Sequence, residues 1–205
     1  MKIHKILIKN FKSIRKLDFE LNDINVLIGA NGVGKSNFIS FFKFMSQVVE
    51  GNLREYVAKK GGADNFLYYG RKQSPTLNLG LMFENSGYIN KYKITLAPTE
   101  GEDIFFFQDE VAEFSNNNME SWYKGSLRKA LYESRIAEAK YRIPAYVATF
   151  LKAFKVCHFH DTSDISTQSV TLRNGVKITS QFDAILLPSS VPSFSLNSAA
   201  IRLKR

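Results

Sequence analysis

The chain has 205 residues, 44% of them apolar and 23% charged, the composition of a soluble globular protein large enough to bury a core, as one domain or as a core with an inserted lobe. A single cysteine, Cys157, excludes an internal disulfide framework, no apolar run is long enough to span a bilayer, and the N-terminus lacks a secretory signal's apolar core; the expected location is the cytoplasm. The formal charge of +9, from 28 basic against 19 acidic residues, points to an anionic partner, with nucleic acid, DNA included, the first candidate, although the charges are spread along the chain.

Ile6, Leu7 and Ile8 open a strand, and Leu17, Phe19 and Leu21 alternate with Asp18 and Glu20 as a half-exposed strand should. A basic turn, Lys9-Asn10-Phe11-Lys12-Ser13-Ile14-Arg15-Lys16, joins them. Ile24-Asn25-Val26-Leu27-Ile28 then reads as a short buried strand. It runs into Gly29-Ala30-Asn31-Gly32-Val33-Gly34-Lys35-Ser36, which fits G-x-x-x-x-G-K-[ST] at every fixed position. Glycines at these places let the backbone turn tightly and direct successive N–H groups at a phosphate. Lys35 would reach the β- and γ-phosphates, and the Ser36 hydroxyl would be offered to a magnesium ion. Phe38, Ile39, Phe41, Phe42, Met45 and Val48 follow at helical spacing, so strand, loop and helix aim the positive end of a helix dipole at the phosphates.

Leu53, Tyr56 and Val57 continue a helical face that Gly61-Gly62 breaks. The order strand, N-F-K-S-I, strand, V-L-I-G-A-N-G-V-G-K-S-N-F resembles the N-terminus of ABC-type ATPases of the SMC, RecF and OLD group. The bacterial stand-alone predicted ATPases labelled "AAA family" look most similar. Asn31 and Asn37 belong to that resemblance, and Gly61-Gly62-Ala63-Asp64, followed by Gly70-Arg71-Lys72, matches a second segment of the same proteins. The resemblance implies ATP and Mg2+ as cofactors, bound through Asn31, Gly32, Val33, Gly34, Lys35, Ser36 and Asn37, with Ser36 on the metal. Gln73 is the nearest counterpart of the group's γ-phosphate-sensing glutamine, and its position is unconvincing.

Leu77, Leu79 and Leu81 alternate in a strand, and Tyr88 to Leu96 forms its hairpin partner across Asn85-Ser86-Gly87. Ile104-Phe105-Phe106-Phe107-Gln108-Asp109-Glu110 imitates a Walker B strand, whose two carboxylates would serve magnesium and the attacking water. Gln108, however, interrupts the apolar run, and the group's signature motif does not precede it. Phe105 to Phe114 is therefore expected to be another strand of an antiparallel lobe.

Ser126 to Lys140 reads as a helix lined by Leu127, Ala130, Leu131 and Ser134, and a second helix starts near Pro144 and buries Val147, Phe150, Leu151 and Phe154. Lys124, Arg128, Lys129, Arg135, Lys140 and Arg142 make this the most basic stretch. Val156 to Ser163 is a short strand and polar turn in which His158, His160 and Asp161 would form a metal site only with a further ligand; H-F-H-D-T-S is a third marker of the resembled group, without an assigned role. Beyond it, a hairpin is expected around Asn174-Gly175 within Leu172 to Ile178, a strand at Phe182 to Leu187, and low order from Pro188 onward.

The expected fold class is thus α/β: the N-terminal lobe of an ABC/SMC-type P-loop NTPase over residues 1–165, with an antiparallel β subdomain and a helical segment, then a divergent tail over residues 166–205. In the resembled group the signature, Walker B and switch histidine follow a helical subdomain, and two monomers sandwich two nucleotides. The expectation is therefore an apparently truncated ATPase that binds ATP and hydrolyses it only if a homodimer or a partner chain completes it, linked to DNA repair or defence against foreign DNA. A non-catalytic, nucleotide-gated interaction module, or a fragment of a longer ATPase, is the alternative.

Overall fold

A computed structural model describes residues 2–22, 25–28, 32–85, 88–116, 121–125, 127, 132–136, 138–139, 142–152, 155–158, 170–171, 177–178, 183–186 and 199–202. Its frame is an antiparallel sheet of six strands: β1 (Lys2–Phe11), β2 (Ile14–Glu20), β4 (Leu77–Asn85), β5 (Tyr88–Pro98), β6 (Phe105–Asn116) and β7 (Tyr123–Gly125), in the order β2-β1-β4-β5-β6-β7. Period-two alternation turns Ile6, Ile8, Leu79, Leu81, Phe83, Tyr92 and Ile94 to one face, where all are buried. Between β4 and β5 the ladder runs out to Asn85 opposite Tyr88, as expected of the hairpin.

Among the described residues four α-helices accompany the sheet: α1 (Lys35–Glu50), α2 (Leu53–Lys59), the one-turn α3 (Gly70–Gln73) and α4 (Arg142–Lys152). The apolar face read for α1 is buried in full, together with Phe44 and Val49. Phe44 is the hub of an aromatic cluster, with ring centroids 5.6 Å from Phe11, 5.2 Å from Phe66 and 6.1 Å from Phe105. Such tilted and edge-on contacts add to the gain from burial itself. Farther along, Phe150 of α4 lies flat on Phe83 of β4. Val147, Phe150 and Leu151 are buried as their spacing implied, while Phe154 lies outside the described residues.

Strand β3 (Asn25–Ile28) precedes the glycine loop and pairs in parallel with β12 (Ala199–Arg202). Strand β8 (Lys155–His158) pairs with β11 (Asp183–Leu186), and β9 (Val170–Thr171) with β10 (Lys177–Ile178), both antiparallel. The described part of the stretch expected to have low order is thus a strand beside β3. Asn174-Gly175, His160 and Asp161 lie outside the described residues.

One expected element is corrected. Residues 132–136 and 138–139 are turns and coil, where a helix from Ser126 to Lys140 was expected. The apolar spacing is present, but the backbone N–H groups of Arg135 and Ile136 donate to Glu110 of β6 rather than into a helix. A buried carboxylate outcompetes a local period.

Candidate functional site

The glycine loop is described from Gly32 onward; Gly29, Ala30 and Asn31 lie outside the described residues. Gly32 and Gly34 take φ values of 81° and 111°, a left-handed backbone that disfavours any side chain. Gly34 is the N-cap of α1, so Lys35, Ser36 and Asn37 form its first turn, where backbone N–H groups have no helical acceptor. No acidic residue occupies that turn to offset the positive end of the helix dipole. Ser36 is exposed; its carbonyl accepts a 2.8 Å bond from the Ser40 hydroxyl, while Lys35 and Val33 are half-buried.

The basic turn between β1 and β2 reaches this loop. Asn37 Nδ2 donates to Ser13 Oγ at 2.8 Å, and a Cβ built on Gly34 would stand 2.9 Å from the same hydroxyl. Two sequence markers 24 residues apart, N-F-K-S-I and G-K-S-N, are therefore one contact. The turn is itself held tightly: Asn10 and Lys12 have φ values of 64° and 50°, Asn10 Nδ2 donates to the Thr76 carbonyl at 2.9 Å, and Lys12 N donates to the Phe66 carbonyl at 2.8 Å. Lys12 Nζ lies 5.4 Å from the centre of the Phe66 ring and 5.8 Å from that of Phe11. Burial, followed by the charges of Lys60 and Lys43, pushes its pKa below the ordinary lysine value.

The G-G-A-D and G-R-K markers prove to be a clamp on this turn's other side. Arg71 Nε and backbone N donate to Asp64 Oδ1 at 3.0 and 2.8 Å, Nη1 donates to the Thr99 carbonyl at 2.8 Å, and Nη2 pairs with Asp103. The bond to Asp64 and then the nearby Asp103 charge raise the Arg71 pKa against the opposing effect of burial. Gly62, at φ 95°, lies so close to the Asp103 carboxylate that any Cβ there would overlap it. Gln73 is exposed at the end of α3.

Glu110 is the other carboxylate to account for. Gln108 is skipped in the pairing of β6 with β5, which passes from Thr95 opposite Asp109 to Leu96 opposite Phe107. That bulge reverses the alternation, so that Phe105, Phe107, Glu110 and Ala112 are all buried while Gln108 and Asp109 are exposed. Glu110 accepts from Tyr92 Oη at 2.6 Å, Arg135 N at 2.9 Å and Ile136 N at 3.3 Å, and is bonded by the Ser134 hydroxyl. Burial, then the Glu110 charge, drives the Tyr92 phenol well above its usual pKa. The neighbouring Glu133 accepts from Leu53 N at 3.0 Å and Arg54 N at 2.8 Å at the start of α2. Both glutamates are consumed by packing, and Asp109 and Glu110 lie in an antiparallel ladder as the interrupted run implied.

Ser13, Asp64 and Arg71 stand inside sequence motifs that assign them no roles. Asp64 and Arg71 are seven residues apart, but Ser13 meets Asn37 24 residues on and Arg71 meets Asp103 32 residues on, separations that carry no local signal. No group of three or more metal-ligating side chains occurs among the described residues, and the side chains of His158, His160 and Asp161 lie outside them. No helix among the described residues is long and apolar enough to cross a membrane.

Two curated relatives are similar to parts of the chain. Structural maintenance of chromosomes protein 1 of Schizosaccharomyces pombe is 29% identical over 135 residues, 61% of this chain and 10% of that protein. Endonuclease GajA of Bacillus cereus is 40% identical over 45 residues, 22% of this chain and 8% of that protein. This chain therefore spans only about a tenth of the relatives it matches. The AAA ATPase domain model matches residues 1–195, past the point near residue 165 where the motif resemblance ends, and the chain belongs to the AAA ATPase domain family.

Proposed function

We propose that residues 1–165 contain a P-loop ATPase module of SMC/RecF/OLD type that binds ATP with Mg2+ at the head of α1. The observation that carries this reading is the start of that helix: two left-handed glycines, an acid-free first turn and Ser13 against Gly34 and Asn37. Backbone N–H groups from Gly32 to Lys35 would cradle phosphate oxygens, joined by Asn31 and the Lys35 ammonium. The Ser36 hydroxyl is an oxygen donor suited to magnesium. A Cβ at Gly34 would close the space shared with Ser13, so the loop fits the group it would hold. When bound, Mg2+-nucleotide supplies a γ-phosphoryl group that can be transferred to water.

Of the two carboxylates that imitate a Walker B pair, Glu110 is spent inside the fold and Asp109 lies exposed on an antiparallel strand, so hydrolysis is assigned to a completed assembly, either a homodimer or a complex with a partner chain. The relatives' names support a link to chromosome maintenance or to DNA cleavage, and DNA is the proposed macromolecular partner, in a cytoplasmic process of repair or defence. Thermal unfolding with and without Mg-ATP tests the binding step. At a hundredfold excess over the dissociation constant the ligand should add about 2.7 kcal/mol of stability. The same titration of Lys35→Ala should show little or none. Absence of any shift in the unaltered chain would dismiss the reading.

A further inference from the structure

The sheet face turned away from the helices is charged in two unlike halves. In one half the lysines are answered: Lys5 Nζ lies 2.7 Å from Asp18 and 3.9 Å from Glu20, and Lys91 and Lys124 lie 3.5 and 3.7 Å from Glu113. In the other half Lys9, Lys16 and Lys93, all exposed, form no ion pair with any described residue. Lys9 and Lys16 are register partners on β1 and β2, so two ammonium groups stand opposite one another, an arrangement that costs stability. Between them and Lys93, Gly80 leaves β4 without a side chain. Leu7 and Lys93 lean over the bare backbone, within 3.3 and 3.4 Å of where a Cβ would be. The result is a groove of about 440 Å³, with Leu7 and Val111 among its apolar lining; of the carboxylates that also line it, Asp18 and Glu113 are paired with lysines, which leaves Asp109 against Lys9, Lys16 and Lys93.

We propose that this groove receives an extended acidic peptide segment of a partner protein, its carboxylates on Lys9, Lys16 and Lys93 and an apolar side chain against Leu7 and Val111. The three cations extend over β2, β1, β4 and β5, three strand spacings or about 14 Å, the length of four or five extended residues. Nucleic acid fits the same face poorly. A duplex laid across it would reach beyond the groove to Glu20 as well, whereas a segment of four or five residues meets only the groove's own lining, where Asp18 is paired with Lys5 and Glu113 with Lys91 and Lys124. The proposed DNA contact is therefore placed elsewhere, and the groove does not depend on nucleotide at the head of α1, which packs on the opposite face.

Fluorescence polarisation on the full chain tests this at low ionic strength, where such contacts are strongest. The probes are a labelled glutamate-rich peptide of about ten residues carrying two leucines, and a single strand and a duplex of about fifteen nucleotides. The peptide should bind saturably and at least tenfold more tightly than either oligonucleotide. Reversing charge with Lys9→Glu and Lys93→Glu together should weaken it at least tenfold, and the milder Lys93→Gln about threefold. Lys60→Glu, outside the groove, should change it less than twofold, with melting curves confirming that each variant is folded. The proposal is overturned if the peptide does not bind, if it binds the folded groove variants unchanged, or if an oligonucleotide binds more tightly and is lost in the same variants.

Discussion

The head of α1 and the middle of β6 both carry sequences that advertise phosphate chemistry, and the fold treats them in opposite ways. At the head of α1 the backbone is forced into left-handed turns, the first-turn N–H groups have no helical acceptor, and Asn37 donates to Ser13. In β6 the Glu110 carboxylate is surrounded by Tyr92, Ser134, Arg135 and Ile136 donors before any ligand could arrive. Chemical identity is the same as in a catalytic strand; the environment decides the role. A group whose hydrogen-bonding capacity is spent in the folded state stabilises the fold, and one whose capacity is kept open can bind.

That contrast can be broken in order of expected effect. Glu110→Ala should cost about 3–5 kcal/mol in urea unfolding, because it strands a buried phenol, a hydroxyl and two backbone donors at once. A loss below about 1 kcal/mol would mean that Glu110 is not the anchor described. Gly62→Ala should cost about 2–4 kcal/mol, from its left-handed φ and its overlap with Asp103, and should loosen the Arg71 clamp. Near-normal stability would show that Asp103 can move aside.

Tyr92→Phe should cost about 1–2 kcal/mol at neutral pH. It also makes a pH prediction. The folded-state pKa of Tyr92 is raised above the ordinary 10.0, so its contribution is complete below that value and is lost as pH rises through the folded pKa. Stability of the unaltered chain should therefore fall more steeply above about pH 10 than that of Tyr92→Phe, and parallel curves would refute the assignment. The smallest effect sharpens the other side of the comparison. A double-mutant cycle of Ser13→Ala and Asn37→Ala should give a coupling of about 0.5–1 kcal/mol, with a parallel weakening of Mg-ATP binding; additive losses would separate the turn from the loop.

Much of the frame was legible because it is local. The period-two runs in β2 and β4, the helical face of α1 and the buried face of α4 all follow from spacing alone. Gln108 was readable as an interruption, yet its role as the extra residue of a bulge depends on the partner strand. The helix expected through Ser134 failed for the complementary reason: its competitor, Glu110, lies 24 residues earlier. Asp64 and Arg71 were visible as a motif, but the third member, Asp103, comes 32 residues after Arg71 and carries no local mark. At the glycine loop, the left-handed turns at Gly32 and Gly34 followed from residue type; the Ser13–Asn37 contact required the fold.

The chain's single tryptophan gives the open sheet face an optical property of its own. Trp122 is half-buried, and the Lys91 ammonium sits 3.8 Å from its ring centre while also pairing with Glu113. An indole beneath a fixed cation emits according to where that cation stays. Intrinsic fluorescence of the unlabelled protein therefore watches the Lys91–Glu113 corner of this face.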